Sequence, residues 1–131
     1  MTEMHTMSGT LYFDGICGMC TRSVTAIARW DRHGAVQLRP FQESGSAEAL
    51  GVSDEVMRRS SWWLDASGAV YGGAEGINAA LSAALGTRLP LLLYRVPGVG
   101  ALQRLVYRYV ASHRYRFPGT TPYCESHPVA C

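Results

Sequence analysis

Apolar positions recur along the chain with two periods, and the switches between them mark the elements. Thr10-Leu11-Tyr12-Phe13 is a short apolar and aromatic run that suits a buried strand, closed by the turn signal Asp14-Gly15. From Cys17 to Arg32 the period becomes helical. Cys20, Val24, Ile27 and Ala28 recur at steps of three and four, Met19, Ala26 and Trp30 widen that face, and Arg32-His33-Gly34 supplies a stop. Val36, Leu38 and Pro40 then alternate with Gln37 and Arg39 as a second strand. Ser44 to Arg59 reads as loop with a short helix. Trp62-Trp63-Leu64 and Ala69-Val70-Tyr71 read as a hairpin with Ser67-Gly68 in the turn. Ala74 to Leu85 is helical and ends at Gly86. Beyond it, Pro90 and Pro97-Gly98 divide the chain into a short helix near Arg88 to Arg95 and a longer one, in which Val99, Leu102, Val106, Tyr109 and Val110 mark the apolar stripe. Pro118-Gly119 ends the regular pattern.

Strand, helix, strand, helix, hairpin, helix is the order of a thioredoxin-like α/β sandwich, a βαβα-ββα core, here with extra C-terminal helices. Other small α/β folds share that order. The expected organisation is a flexible leader over residues 1–8, a single domain over 9–117 and a C-terminal tail over 118–131. A chain of 131 residues has no room for two domains. No apolar run reaches the ~20 residues of a membrane span. Met1 to Ser8 carries Glu3 and His5 where a secretory signal has a basic start and an apolar stretch. The expected setting is cytoplasmic.

Composition sharpens this picture in two respects. Apolar residues at 47% and charged residues at 17% exclude the low-hydrophobicity, high-charge signature of disorder. The net charge of +2 hides an asymmetry: residues 1–75 hold six Arg against nine Asp or Glu, whereas 76–124 hold six Arg and no carboxylate. There is no lysine. The plain reading of the basic stretch is a solvated helix face; the sharper one is a peripheral contact with an acidic partner or membrane surface through residues 88–116. Nucleic acid is the weakest candidate partner, because no recognised binding motif accompanies the charge.

The four cysteines are Cys17, Cys20, Cys124 and Cys131. In a cytosolic chain the close pair Cys17/Cys20 reads first as redox-active or metal-binding. A strand that ends just before Cys-x-x-Cys, with the cysteines opening a helix, puts Cys17 at or next to the N-cap, where free N–H groups and the helix dipole favour a thiolate. Cys17 is then the attacking nucleophile. Cys20, one turn on and closer to the core, is the resolving thiol. Asp14 either ends the strand as a turn residue or relays the proton that Cys20 must lose; spacing leaves both open. The alternative is a non-enzymatic, zinc-stabilised binding module with ligands Cys17, Cys20, Cys124 and His127, Cys131 in reserve, and a basic helical surface. Against it, Cys20 continues into an uninterrupted helical pattern, where a zinc half-site prefers a knuckle turn. Cys124 and Cys131 can also be written as a second redox pair, but structural or idle thiols are the favoured reading, since tails are usually mobile.

Phe13-Asp14-Gly15-Ile16-Cys17-Gly18-Met19-Cys20 resembles the defining motif of the DCC family of predicted thiol-disulfide oxidoreductases, named for its Asp and two Cys. The resemblance continues through Arg32-His33-Gly34, the hairpin from Trp63-Leu64-Asp65 to Tyr71, Gly73 to Leu81, and Arg114 to Gly119 with the nearby Cys124. It implies a thioredoxin-like fold, a thiol-disulfide oxidoreductase activity, and Asp14, Cys17 and Cys20 as functional residues. The resemblance names no natural substrate; the expected partner is a disulfide- or thiol-bearing protein or a small thiol, and no bound cofactor or metal is expected. Orthodox thioredoxins carry a cis-proline before the hairpin strand. The matching stretch here is Arg58-Arg59-Ser60-Ser61, so Ser60 and Ser61 are the candidate groove residues, together with Gly72 and Gly73 before the next helix. Gly72-Gly73-x-x-Gly76 reads as turn geometry before it reads as a phosphate cradle. One of Trp62 and Trp63 is expected in the core. His113 and His127 are read as surface or capping residues.

Overall fold

The structure, a computed structural model, describes residues 8–114, 116 and 119–131. Most of the expected leader therefore lies outside the described residues. Ser8 is tied to the hairpin, its carbonyl accepting from the Ala66 N–H at 2.8 Å.

Four strands form one mixed sheet in the order β2-β1-β3-β4. β1 (Gly9–Phe13) runs parallel to β2 (Val36–Pro40), with Leu11 opposite Leu38. β3 (Trp62–Asp65) is antiparallel to β1, and β4 (Val70–Gly72) to β3. The parallel step requires a crossover, supplied by α1 (Gly18–Trp30). After β2 come two short helices, α2 (Ser46–Leu50) and α3 (Asp54–Met57). After β4 come α4 (Gly73–Leu85), α5 (Leu89–Tyr94) and α6 (Val99–Ser112). The tail forms one turn, α7 (Tyr123–Ser126), and a 3-10 turn over Pro128–Ala130. This is the thioredoxin-like α/β arrangement that the element order predicts.

Alternation along β1 divides the interior into two layers. Leu11 and Phe13 face Val24 and Ile27 of α1 and Ala79, Ala80, Ala83 and Ala84 of α4, with Trp63 fully buried among them. Alanines at these positions let α4 lie close on the sheet. Tyr12 points the other way, onto Phe41, Ala47, Leu50 and Met57, with Trp62 packed at the edge and its indole N–H donated to the Met57 carbonyl at 2.9 Å. The tryptophan pair thus splits as its alternation requires.

Two expectations about helix faces are corrected. Trp30, assigned to the inner face of α1, is 54% exposed, because the helix ends there at an Asp31 cap whose carboxylate binds the Ala35 and Val36 N–H groups. In α6 the stripe of Val99, Leu102, Val106 and Tyr109 faces outward, Leu102 being 63% exposed. The helix instead turns Gly100, Gln103 and Tyr107 toward the body, joined by Val110 of the expected stripe, and Arg114 follows just past its end. That face is more polar, but its polar groups have fixed partners: Gln103 Oε1 accepts from Asn78 at 2.6 Å, and the Tyr107 hydroxyl accepts from the Ser61 N–H at 2.8 Å. Named hydrogen bonds across a packed face outweigh apolar periodicity here.

Candidate active site

β1 delivers Asp14 to the sheet edge, and the turn Asp14-Gly15-Ile16 leads into α1. Asp14 is 5% exposed. Its Oδ1 accepts from the Ile16 N–H at 3.1 Å and from Gln42 Nε2 at 3.0 Å, and its Oδ2 pairs with Arg114 Nη2 at 3.0 Å. Gln42 also accepts from the Gly15 N–H at 3.0 Å. Asp14 is thus both a turn residue and a buried charge with a specific counter-ion.

Cys17 is the N-cap of α1, and its Sγ accepts from the Cys20 N–H at 3.2 Å. Both cysteines are free thiols. The capping position is the one the sequence predicts, and it turns a free N–H of the first helical turn onto the sulfur. The burial order is reversed, however. Cys17 is 1% exposed, whereas Cys20 is half-buried. The reason lies in the tail. The Thr120 N–H donates to the Gly18 carbonyl at 3.2 Å, the Cys124 N–H to the Gly15 carbonyl at 2.9 Å, and the Tyr123 N–H to Thr21 Oγ1 at 3.0 Å. The Tyr123 ring meets Phe13 edge-on at 5.2 Å. Residues 119–124 therefore strap the start of α1. A Cβ at Gly18 would stand 2.5 Å from the Thr120 carbonyl oxygen, so only glycine admits that approach. We expect Gly18→Ala to prise the strap away and quicken alkylation of Cys17, read by mass spectrometry of the Cys17 peptide; an unchanged rate would show that the strap does not shield it.

Cys20 lines a groove of about 190 Å³ together with Met19, Ser61, Ile77, Tyr107 and Arg114. Of the four groove candidates only Ser61 is there; Ser60, Gly72 and Gly73 are not among the lining residues. Gly72 lies against the Trp62 ring. Both main-chain groups of Ser61 are engaged, the N–H by Tyr107 and the carbonyl by the Gly73 N–H at 2.9 Å, which leaves none for pairing with a substrate strand.

The Cys20 thiol is pushed up from 9.0 to about 12, chiefly by burial, then by its hydrogen bond and electrostatic interaction with Cys17; Arg114 opposes the rise and Asp14 adds to it. Cys20 is accordingly a neutral thiol at physiological pH. Alkylation at pH 8 should label it far more slowly than free cysteine although the groove opens onto it; equal rates would contradict this. Because its folded value is raised, its stabilising contribution is whole below pH 9 and is lost as pH climbs toward about 12.

The zinc set is not assembled. Cys124 is disulfide-bonded to Cys131, and His127 stacks on Tyr123 with its Nδ1 at Ser126 and the Tyr123 carbonyl. Among the described residues no three His, Cys, Asp or Glu side chains converge as metal ligands. Four contributors escaped the sequence reading of the site: Gln42, Tyr107, Thr21 and the counter-ion Arg114. The only signal for Arg114 was its place in the run that resembles the DCC family.

The fold and the paired thiols at the head of α1 define a thioredoxin-like dithiol protein. A family model described as DCC1-like thiol-disulfide oxidoreductase matches residues 11–120, and the chain belongs to that family. No match was found among curated proteins or among solved structures. The family name points to thiol-disulfide oxidoreductase activity and, coarsely, to thiol-bearing substrates. Among the described residues no helix is long and apolar enough to cross a membrane.

Proposed function

We propose that the protein catalyses thiol-disulfide exchange through Cys17 as attacking sulfur and Cys20 as resolving thiol, in a cytosolic setting and without a bound cofactor. The observation that carries this reading is the capping geometry, in which the Cys20 N–H points at Cys17 Sγ while the Cys20 thiol keeps its proton. Cys17 attacks a disulfide and forms a mixed disulfide; Cys20 loses its proton, attacks Cys17 Sγ and releases the partner as a thiol. Peptide-by-peptide thiol trapping across glutathione buffers tests it. A reversible Cys17–Cys20 disulfide with a midpoint of about −120 to −270 mV, the span of dithiol oxidoreductases, is the expected result. Thiols that stay reduced until a chelator is added would overturn it in favour of a metal-holding pair.

Asp14 is assigned the Cys20 proton in this scheme, with Arg114 left to favour the resulting thiolate. Asp14→Asn separates this role from a structural one by sign. Losing the carboxylate charge alone lowers the proton affinity of Cys20 and quickens resolution, whereas losing the relay slows it by about 10²-fold or more. Slower resolution in a single-turnover assay, with the mixed disulfide accumulating, is expected.

A further inference from the structure

The buried position of Cys17 leaves a question of access, and the tail that covers it carries its own disulfide. Cys124 and Cys131 are joined to each other, while Cys17 and Cys20 are both free. A staple that fixed the tail would link it to the domain; this one links the tail only to itself, across a turn with no buried residue in either of its short helices. Its inner sulfur lies against the active-site loop. A Cβ at Gly15 would stand 2.6 Å from Cys124 Sγ, and the same sulfur lies 3.7 Å from Gln42 Oε1, the side chain that also holds Asp14 and the Gly15 N–H. Its outer residue, Cys131, is exposed. In a reducing compartment the disulfides that do occur are chiefly transient and catalytic.

We propose that the Cys124–Cys131 disulfide is an internal exchange partner of the Cys17/Cys20 dithiol, passing two electrons between the covered pair and an external disulfide- or thiol-bearing partner that docks at Cys131. This rests on the exchange chemistry proposed above. The Cys17 thiolate attacks Cys124 Sγ; the Cys124–Cys131 bond breaks and its electron pair leaves on Cys131. Cys20, giving up its proton, then attacks Cys17 Sγ. The Cys17–Cys124 bond breaks, and Cys124 leaves as a thiolate that takes up a proton. The inner pair is now oxidised and the tail holds two thiols. Cys131 attacks the external disulfide and Cys124 resolves the product, restoring the tail disulfide and reducing the partner. Every step is reversible, so the same route carries electrons inward.

Cys20→Ser stops the sequence after its first step. Incubated anaerobically with its tail oxidised, then acid-quenched and digested, it should yield a Cys17–Cys124 linked peptide with a free Cys131 thiol, formed at a rate independent of protein concentration. Only Cys124–Cys131 linkage, with Cys17 free, would overturn the relay, as would a linked peptide whose formation rises with concentration. A second variant settles the matter should that one misfold. With Cys124→Ser/Cys131→Ser, reduction of oxidised glutathione by the Cys17/Cys20 dithiol should slow at least about tenfold, the advantage of an intramolecular step being lost. A tail that merely shields Cys17 predicts the opposite, faster exchange. If wild-type Cys17–Cys20 oxidises reversibly in glutathione buffers while both variants give the contrary result, the relay falls and the exchange activity stands. If that disulfide never forms in the wild type, both fall.

Discussion

Cys17→Ser reduces disulfide exchange to the uncatalysed background, while Cys20→Ser keeps the first chemical step and stops at a mixed disulfide. The asymmetry follows from how α1 begins. Cys17 occupies the cap, where its sulfur takes the Cys20 N–H and where a negative charge gains from the helix dipole. Cys20 sits inside the first turn, beside Met19 and Tyr107, with its thiol held neutral to about pH 12. Thiolate character and intrinsic nucleophilicity together decide which sulfur attacks, and a thiol so strongly protonated supplies almost no thiolate at neutral pH. Serine at position 17 preserves the cap but offers an oxygen that cannot form a disulfide. The measurement is a single-turnover reaction of each variant with a disulfide substrate, quenched in acid and resolved by mass. Turnover by Cys17→Ser comparable to wild type, or a mixed disulfide located on Cys20 in place of Cys17, would invert the assigned roles.

The sequence made the sheet and its supporting helices legible because those signals are local. Alternation in Val36–Pro40, the Ser67-Gly68 turn and the helical period after Cys17 each depend on residues a few positions apart. The cap at Cys17 was legible for the same reason. The rest of the site is built by contacts that no period encodes. Asp14 meets its counter-ion in Arg114, just past the end of α6, and Gln42 reaches back from the turn after β2. The burial order of the two thiols is not legible because helix position alone puts Cys20 inward, whereas the strap of residues 119–124 binds Gly15, Gly18 and Thr21 on either side of a buried Cys17. The inner face of α6 is hidden from the sequence because its partners, Asn78 and Ser61, belong to other elements. Part of the basic charge of the C-terminal third likewise has partners within the molecule: Arg114 pairs with Asp14, and the exposed Arg104 donates from Nη1 to the Tyr94 hydroxyl at 3.1 Å.

Arg114→Ala is expected to destabilise the fold more than any other single replacement of a charged residue at the site, by about 3 kcal/mol, the scale for removing one partner of a buried ion pair. The Asp14 side chain is 7% exposed and that of Arg114 16%, so the pair is screened far less than the exposed Arg59–Glu55 bridge, whose loss should cost no more than about 0.5 kcal/mol. Without the guanidinium, the Asp14 carboxylate keeps the Ile16 N–H and Gln42 but loses the charge of Arg114. The same change removes the positive charge that lowers the proton affinity of Cys20, so resolution slows as well. Denaturant unfolding of Arg114→Ala, Asp14→Asn and the double variant separates the terms. The double variant should be clearly more stable than the sum of the single losses predicts, because the two single variants each lose the same Asp14–Arg114 interaction. Additive losses, or an Arg114→Ala variant within about 0.5 kcal/mol of wild type, would show that the pair is solvated in solution and that Asp14 does not owe its position to Arg114.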